Sequence, residues 1–258
     1  MALVLQPATE ADAVRAADIE KQAFMPNPFG KFLFPGPFPE PAPGQEPGTV
    51  QMLKHLKDPS TRWLKVVDTD IEPSEDNSQM IGFAQWNIND GSQIPATPRG
   101  FGPGCNVEAC EAVFVGLADK RAKTAAGKKH VRELKPVSYP PRRSVFVPSL
   151  LDSVALSTQR STCLPTLLSA STDREDEKDL RLLVVDPKHQ RRGAGRMLVM
   201  WGIEEAKKLG LPAYVESSVE GHSLYLSCGF RDVDKFLVDF TKWGKPADHV
   251  SYILALEQ

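Results

Sequence analysis

"VVDPKHQRRGAGRML", residues 184–198, decides how this chain folds. The residues leading into it, "LRLLVVD" (180–186), form a continuous apolar run rather than an alternating one. That pattern belongs to a strand inside a sheet, covered on both faces. Pro187 ends the strand. The residues leading out, "RMLVMWGIEEAKKLG" (196–210), predict a helix of about four turns in which Val199, Ile203, Ala206 and Leu209 form one stripe. Gly195 and Gly202 lie on the same side and allow the helix close to the sheet. Lys207 and Lys208 suit its C-terminal end, Gly210 suits the position after it, and Pro212 bars continuation.

A buried strand therefore empties through a glycine turn into a helix N-terminus. Such an end carries unpaired N–H groups and partial positive charge. Gly193 and Gly195 let a bulky anion approach the backbone, and Arg191 and Arg192 add charge. The arrangement suits a pyrophosphate. It is neither a Walker A loop nor the Gly-x-Gly-x-x-Gly dinucleotide fingerprint.

Outward from this centre, "LVLQPAT" (3–9) reads as a first strand. Thr9 and Asp12 are spaced for a capping box. Ala13, Ala16, Ile19 and Ala23 make one helical stripe that stops before Pro26. Residues 26–48 hold too many prolines and glycines for a regular core element, yet Phe29, Phe32, Phe34 and Phe38 are too apolar for a free linker. Residues 49–57 suit a short helix. "RWLKVVD" (62–68) and "QMIGFAQWNI" (79–88) read as an antiparallel hairpin around a polar loop. Residues 90–106 return to Gly and Pro. A helix runs from a cap at Asn106 towards Gly127, with Val107, Ala109 and Phe114 among its apolar residues. Residues 136–178 mix short strand-like ("SVFV") and helix-like ("SLLDSVAL") pieces with Ser, Thr and Pro, the composition of a long insertion. We expect a single domain over 1–258, with a Pro-rich loop at 26–48 and that insertion at 136–178.

The composition bounds the function. The chain has 258 residues, 41% hydrophobic and 25% charged, with a net charge of -2 and a pI near 6.2. Such a balance fits a globular protein and gives no basic field for nucleic acid. There is no basic n-region at the start and no apolar run of about 18 residues, so a cytoplasmic protein without a membrane span is expected. Cys105, Cys110, Cys163 and Cys228 lack the paired spacing of a zinc site, and the five histidines show no ligand grouping. No metal is expected.

The order strand, "DPKHQRRGAG" and long helix resembles motif A of the GCN5-related N-acetyltransferase (GNAT) superfamily. The pattern Gln/Arg-x-x-Gly-x-Gly/Ala falls on Gln190, Gly193 and Gly195, after Val185 and Pro187. "LPAYVESSVEGHSLYLSCGFRDV" (211–233) resembles the family's motif B: a strand, a short helix carrying Leu-Tyr, then Gly-Phe and a further strand. The two motifs span residues 180–240, and the arrangement resembles uncharacterised fungal members of the family. The resemblance implies an α/β fold with a mixed, splayed central sheet flanked by helices. It implies that acetyl-CoA enters the gap between two parallel strands. Backbone groups of Leu183, Val184 and Val185 would pair with pantetheine. The cradle of Gln190, Arg191, Arg192, Gly193, Ala194, Gly195 and Arg196 would hold the pyrophosphate.

Acetyl transfer by direct attack needs a neutral amine, a polarised carbonyl and a proton for the departing thiolate. The resemblance puts Tyr225 near the sulfur, as the acid; a tyrosine there also packs well. Glu216, ending its strand near the splay, is the candidate base, although a carboxylate there also suits a helix terminus. Phe29, Phe32, Phe34, Trp86 and Glu111 are candidates for the acceptor site, with Trp86 and the phenylalanines equally suited to a core. The expected acceptor is a primary amine of a small molecule. A peptide N-terminus or lysine is the alternative acceptor, and a non-catalytic CoA-binding protein the alternative function. The expected assembly is a monomer or homodimer.

Overall fold

The computed structural model describes residues 2–25, 27, 29–38, 47–57, 60–89, 101–124, 130–133, 182–245 and 248–257. The readings for residues 136–178, and parts of those for 26–48 and 90–106, lie outside them.

The N-terminal half follows its sequence pattern. Strand β1 (Leu3–Pro7) leads through a tight turn into α1 (Ala13–Phe24). The Thr9–Asp12 box forms, with Thr9 N and Oγ1 both donating to Asp12 Oδ2 at 2.7 and 3.0 Å. Ala13, Ala16 and Ile19 are buried as one stripe. The Pro-rich stretch contains one helical turn, α2 (Gly30–Leu33), which buries Leu33. Helix α3 (Pro47–Leu56) precedes the hairpin of β2 (Thr61–Asp68) and β3 (Met80–Asn89). The next helix is continuous but not uniform. A π turn (Glu111–Val115) separates α4 (Val107–Cys110) from α5 (Gly116–Thr124), and Asn106 caps it by accepting from Ala109 N. No sequence feature signalled the π turn.

Strand β4 (His130–Glu133) is paired antiparallel to β3 and went unread in the sequence. Four residues with no alternation carry too little pattern; two neighbouring strands supply its hydrogen bonds. Strand β5 (Leu183–Val185) pairs with β3 as well. The two strands share one line. Trp86 faces Glu133, Gln85 N donates to Leu182 O, and Ala84 faces Leu183. Glu133 and Leu182 thus take successive register positions along β3.

Helix α6 (Ala194–Leu209), β6 (Ala213–Ser217), α7 (Val219–Ser227), β7 (Arg231–Val238) and β8 (His249–Leu256) complete the chain. The strand order is β1-β2-β3-β4-β6-β8-β7, with β5 beside β3. Helices α6 and α7 cover one face, burying Leu198, Val199, Ile203 and Ala206 against Trp86, Val215 and Leu254. On the other face α1 and α3 pack over Trp63, Phe83 and Val184, while α2, α4 and the π turn pack around Phe240. Gly202 is required where α6 crosses the sheet, because a Cβ there would come within 2.2 Å of the Trp86 ring. Leu209, expected in the α6 stripe, is instead 44% exposed. It is the last helical residue before Gly210, which takes the left-handed cap conformation at φ 63°.

Candidate active site: a splayed sheet and an anion cradle

The cradle is built from Asp186 onward. Pro187–His189 form a 3-10 turn whose first N–H groups are held by Asp186, which accepts from Lys188 N at 2.9 Å. Arg191 and Gly193 then both take positive φ, 64° and 96°. The first helical bond of α6 runs from Met197 N to Gly193 O. The N–H groups of Ala194, Gly195 and Arg196 therefore have no acceptor within the helix and point off its N-terminus. The space beyond Gly193 is open to 4 Å, and Arg191 and Arg196 are exposed. Bare N–H groups, a helix dipole and two exposed cations, of which Arg196 donates to Ser227 O at 3.2 Å, are gathered here, the features that suit an anion.

Arg192 behaves differently from the sequence expectation of a second free cation. Its Nη2 donates to Asp68 Oδ2 at 2.6 Å, and its Nη1 lies 2.9 Å from His189 Nδ1. Burial pushes the Asp68 carboxyl up, but Arg192 and the Asp70 N–H outweigh it and hold it below the usual range. A second pair ties α1 to the same turn: Arg15 Nη2 donates to Asp186 Oδ2 at 2.6 Å and its Nε to Met80 O. Asp186 is held low in the same way, with burial opposed by the Lys188 N–H and by Arg15.

In front of the cradle the sheet opens. Ala213, Tyr214 and Val215 of β6 pair in parallel with β4. Glu216 and Ser217 continue β6 beyond the end of β4, and β5, which takes over alongside β3, does not pair with β6. Leu182 O and Asp186 N turn toward β3. By strand alternation the amides of Leu183 and Val185 turn the other way, into the gap; Gln190 Nε2 reaches Val185 O at 3.3 Å. The cofactor-binding candidates from Leu183 to Arg196 thus form one continuous path from gap to cradle, along which Gln190 is bonded to Val185 O, Arg192 to Asp68 and Arg196 to Ser227 O.

Of the catalytic candidates, Glu216 lies on β6 just beyond the end of its pairing with β4, and Tyr225 lies in the α6–α7 core. Tyr225 is buried on α7, with its ring edge-on to Phe230 at 6.0 Å between centroids. Glu216 is 3% exposed and stands in register with Ile253. Its neighbour Val215 joins the α6–α7 core, so Glu216 faces the opposite side. That side bears a polar seam. Gln85, Asn87, Glu216 and Ser251 are all buried there, between the apolar cluster under α1 and α3 and the one around Phe240. Gln85 and Asn87 were missed in the sequence; polar residues at alternate positions of an otherwise apolar strand were the available signal.

The acceptor-site candidates divide. Trp86 is corrected: it is fully buried in the core on the α6 face, its Nε1 donating to Leu198 O at 3.2 Å. The alternation that puts Gln85 on the seam puts Trp86 on the other side. Phe29 and Phe32 pack edge-on against Phe240 at 4.9 and 5.2 Å, and Phe34 stacks on Phe114. They close α2 against the β7–β8 connection. Glu111 is exposed on the π turn. Among the described residues no group of His, Cys, Asp and Glu could hold a metal ion, and no helix is long and apolar enough to cross a membrane.

Residues 167–232 match a model of the acetyltransferase (GNAT) domain. Among solved structures, a polyamine N-acetyltransferase from Drosophila melanogaster aligns with a TM-score of 0.52 at 11% identity, covering 100% of both chains. A histone acetyltransferase HPA2 and related acetyltransferase from Corynebacterium glutamicum aligns with a TM-score of 0.50 at 15% identity, covering 100% of this chain and 97% of that one. No curated protein sequence matches the chain. These likenesses establish the GNAT fold, a mixed central sheet flanked by helices, and do not bear on a fungal subgroup.

Proposed function

We propose that the protein transfers the acetyl group of acetyl-CoA to a primary amine of a small molecule by direct attack. The observation that carries this reading is the continuity of gap and cradle. The edge of β5 away from β3, which pairs with no strand among the described residues, ends at the turn that presents the α6 N-terminus. An extended amide-bearing chain fits the edge, and a pyrophosphate fits the cradle. Leu183 and Val185 offer backbone donors and acceptors to the first; Ala194, Gly195 and Arg196 offer N–H groups to the second. Acetyl-CoA, when bound, supplies an activated thioester.

In the proposed step the amine nitrogen forms a bond to the acetyl carbon and the carbon–sulfur bond breaks, its electron pair going to sulfur. The nitrogen loses a proton, for which Glu216 is the proposed acceptor, directly or through water. The sulfur gains one, for which Tyr225 is the proposed donor. Both side chains are withdrawn from bulk solvent, which strengthens their hydrogen bonds to reacting atoms.

A small acceptor is favoured over a protein one by the aromatic closure. A peptide needs an open groove across this face, whereas Phe29, Phe32, Phe240 and Trp243 join α2 to the β7–β8 connection. The test is calorimetry with acetyl-CoA, followed by CoA release with a panel of small amines and of lysine-bearing and N-terminal peptides. Binding of acetyl-CoA with turnover of small amines is expected. Exclusive turnover of peptides transfers the reading to the alternative acceptor, binding without any turnover leaves a CoA-binding protein, and absence of binding rejects the assignment.

A further inference from the structure

Asp68 ends β2, two strands away from the cradle along the sheet, and lies 124 residues from Arg192 in sequence. Its side chain is 2% exposed, that of Arg192 24%. A guanidinium only donates, so in the contact at 2.9 Å the partner role open to His189 Nδ1 is that of acceptor. Arg192 thus spans two acceptors with two arms of its fork. Asp68 is itself fixed by accepting from Asp70 N at 3.1 Å.

This grip sits beside a conformation the chain does not adopt readily. Arg191 has φ 64°, a left-handed geometry disfavoured for a residue with a Cβ. It is bracketed by two tethers: Gln190 Nε2 on Val185 O, and Arg192 on Asp68 and His189. Between them the backbone is held with the N–H groups of the α6 start facing outward.

We infer that Asp68 is a positioning residue for cofactor binding: it holds Arg192 against the sheet, so that the loop meets the pyrophosphate with backbone N–H groups and Arg191 rather than with Arg192. The inference rests on the acetyl-CoA reading above. It inverts the simple electrostatic expectation. If Arg192 read phosphate directly, removing the competing Asp68 charge would release it and tighten CoA. If Asp68 organises the loop, removing its charge loosens the cradle and weakens CoA, because binding then has to order the loop.

The experiment measures CoA and pantetheine dissociation constants by calorimetry for wild type, Asp68→Asn and Arg192→Lys. Asp68→Asn is expected to weaken CoA by roughly three- to tenfold, the scale of one ordinary hydrogen bond, with pantetheine unchanged. Arg192→Lys keeps the cation but loses the fork that spans two acceptors, so it is expected to weaken CoA comparably. It carries the test alone should Asp68→Asn fail to fold. CoA binding that is unchanged or tighter in Asp68→Asn, or retained in Arg192→Lys, overturns the inference, as do equal losses for CoA and pantetheine. A wild type that binds no CoA overturns the acetyl-CoA reading, and this inference with it.

Discussion

Trp63 and Gln85 stand opposite each other in register on β2 and β3, both buried, and each carries a polar atom with no hydrogen-bond partner among the described residues: Trp63 Nε1 and Gln85 Oε1. A buried donor and a buried acceptor without partners are unfavourable for the fold, of order 1–3 kcal/mol each. Gln85 also marks the register position where β3 passes from β4 to β5, at the vertex of the gap. Gln85→Leu is therefore expected to leave the melting temperature unchanged or raise it, while lowering kcat/KM for the amine. A fall in melting temperature with unchanged kinetics would show that the amide serves the fold alone.

Gly202 tests the closeness of α6. Any Cβ there meets the Trp86 ring, whose Nε1 is bonded to the same helix at Leu198 O. Gly202→Val should destabilise by about 1–3 kcal/mol, the usual effect of overpacking, read as a lower urea midpoint. Because α6 also carries the cradle at its N-terminus, CoA affinity should fall as well. Full stability would mean the ring can move aside.

Tyr225→Phe keeps the ring that packs on Phe230 and removes the proposed proton donor. Cofactor affinity should stay nearly constant while the single-turnover rate falls by roughly 10²- to 10⁴-fold. An unchanged chemical rate at equal cofactor occupancy would reject Tyr225 as the acid.

The pH dependence of stability should show two opposed effects. Burial raises the Glu20 carboxyl from 4.5 to about 7. Between those values the folded state holds a proton that the unfolded state has released, so stability falls as pH rises through this window. Glu20→Gln should therefore raise the melting temperature at pH 8 and leave it near the wild-type value at pH 4. Asp12, Asp68 and Asp186 are held below 3.8: burial raises each, and hydrogen bonds, chiefly from Lys65, Arg192 and the Lys188 N–H respectively, outweigh it. Their contribution is present above the ordinary carboxylate value and is lost as pH falls below about 4. Thermal scans from pH 2 to pH 9 should place the wild-type maximum near pH 5. A flat wild-type profile above pH 5 would contradict the Glu20 assignment.

Local chemistry along the chain determined much of this protein. The continuous apolar run into Pro187, the glycines at 193 and 195, the capping residues Thr9 and Asn106, and the stripe Ala13–Ala16–Ile19 each declare their conformation within a few residues. A strand, a turn with positive φ or a helix start is set by nearest-neighbour sterics and periodicity. What only the tertiary structure decided involves partners far apart in sequence. β4 exists because β3 and β6 flank it, and no four-residue pattern announces that. Trp86 and Gln85 take opposite faces of one strand by alternation, but which of the two lies under α6 is decided by the packing of that helix. Arg191 and Arg192 look alike in sequence, yet one is exposed and the other is bound to Asp68, 124 residues away. Periodicity reports which way a side chain alternates; which buried charge waits on that side is settled by the sheet that brings Asp68 beside the loop.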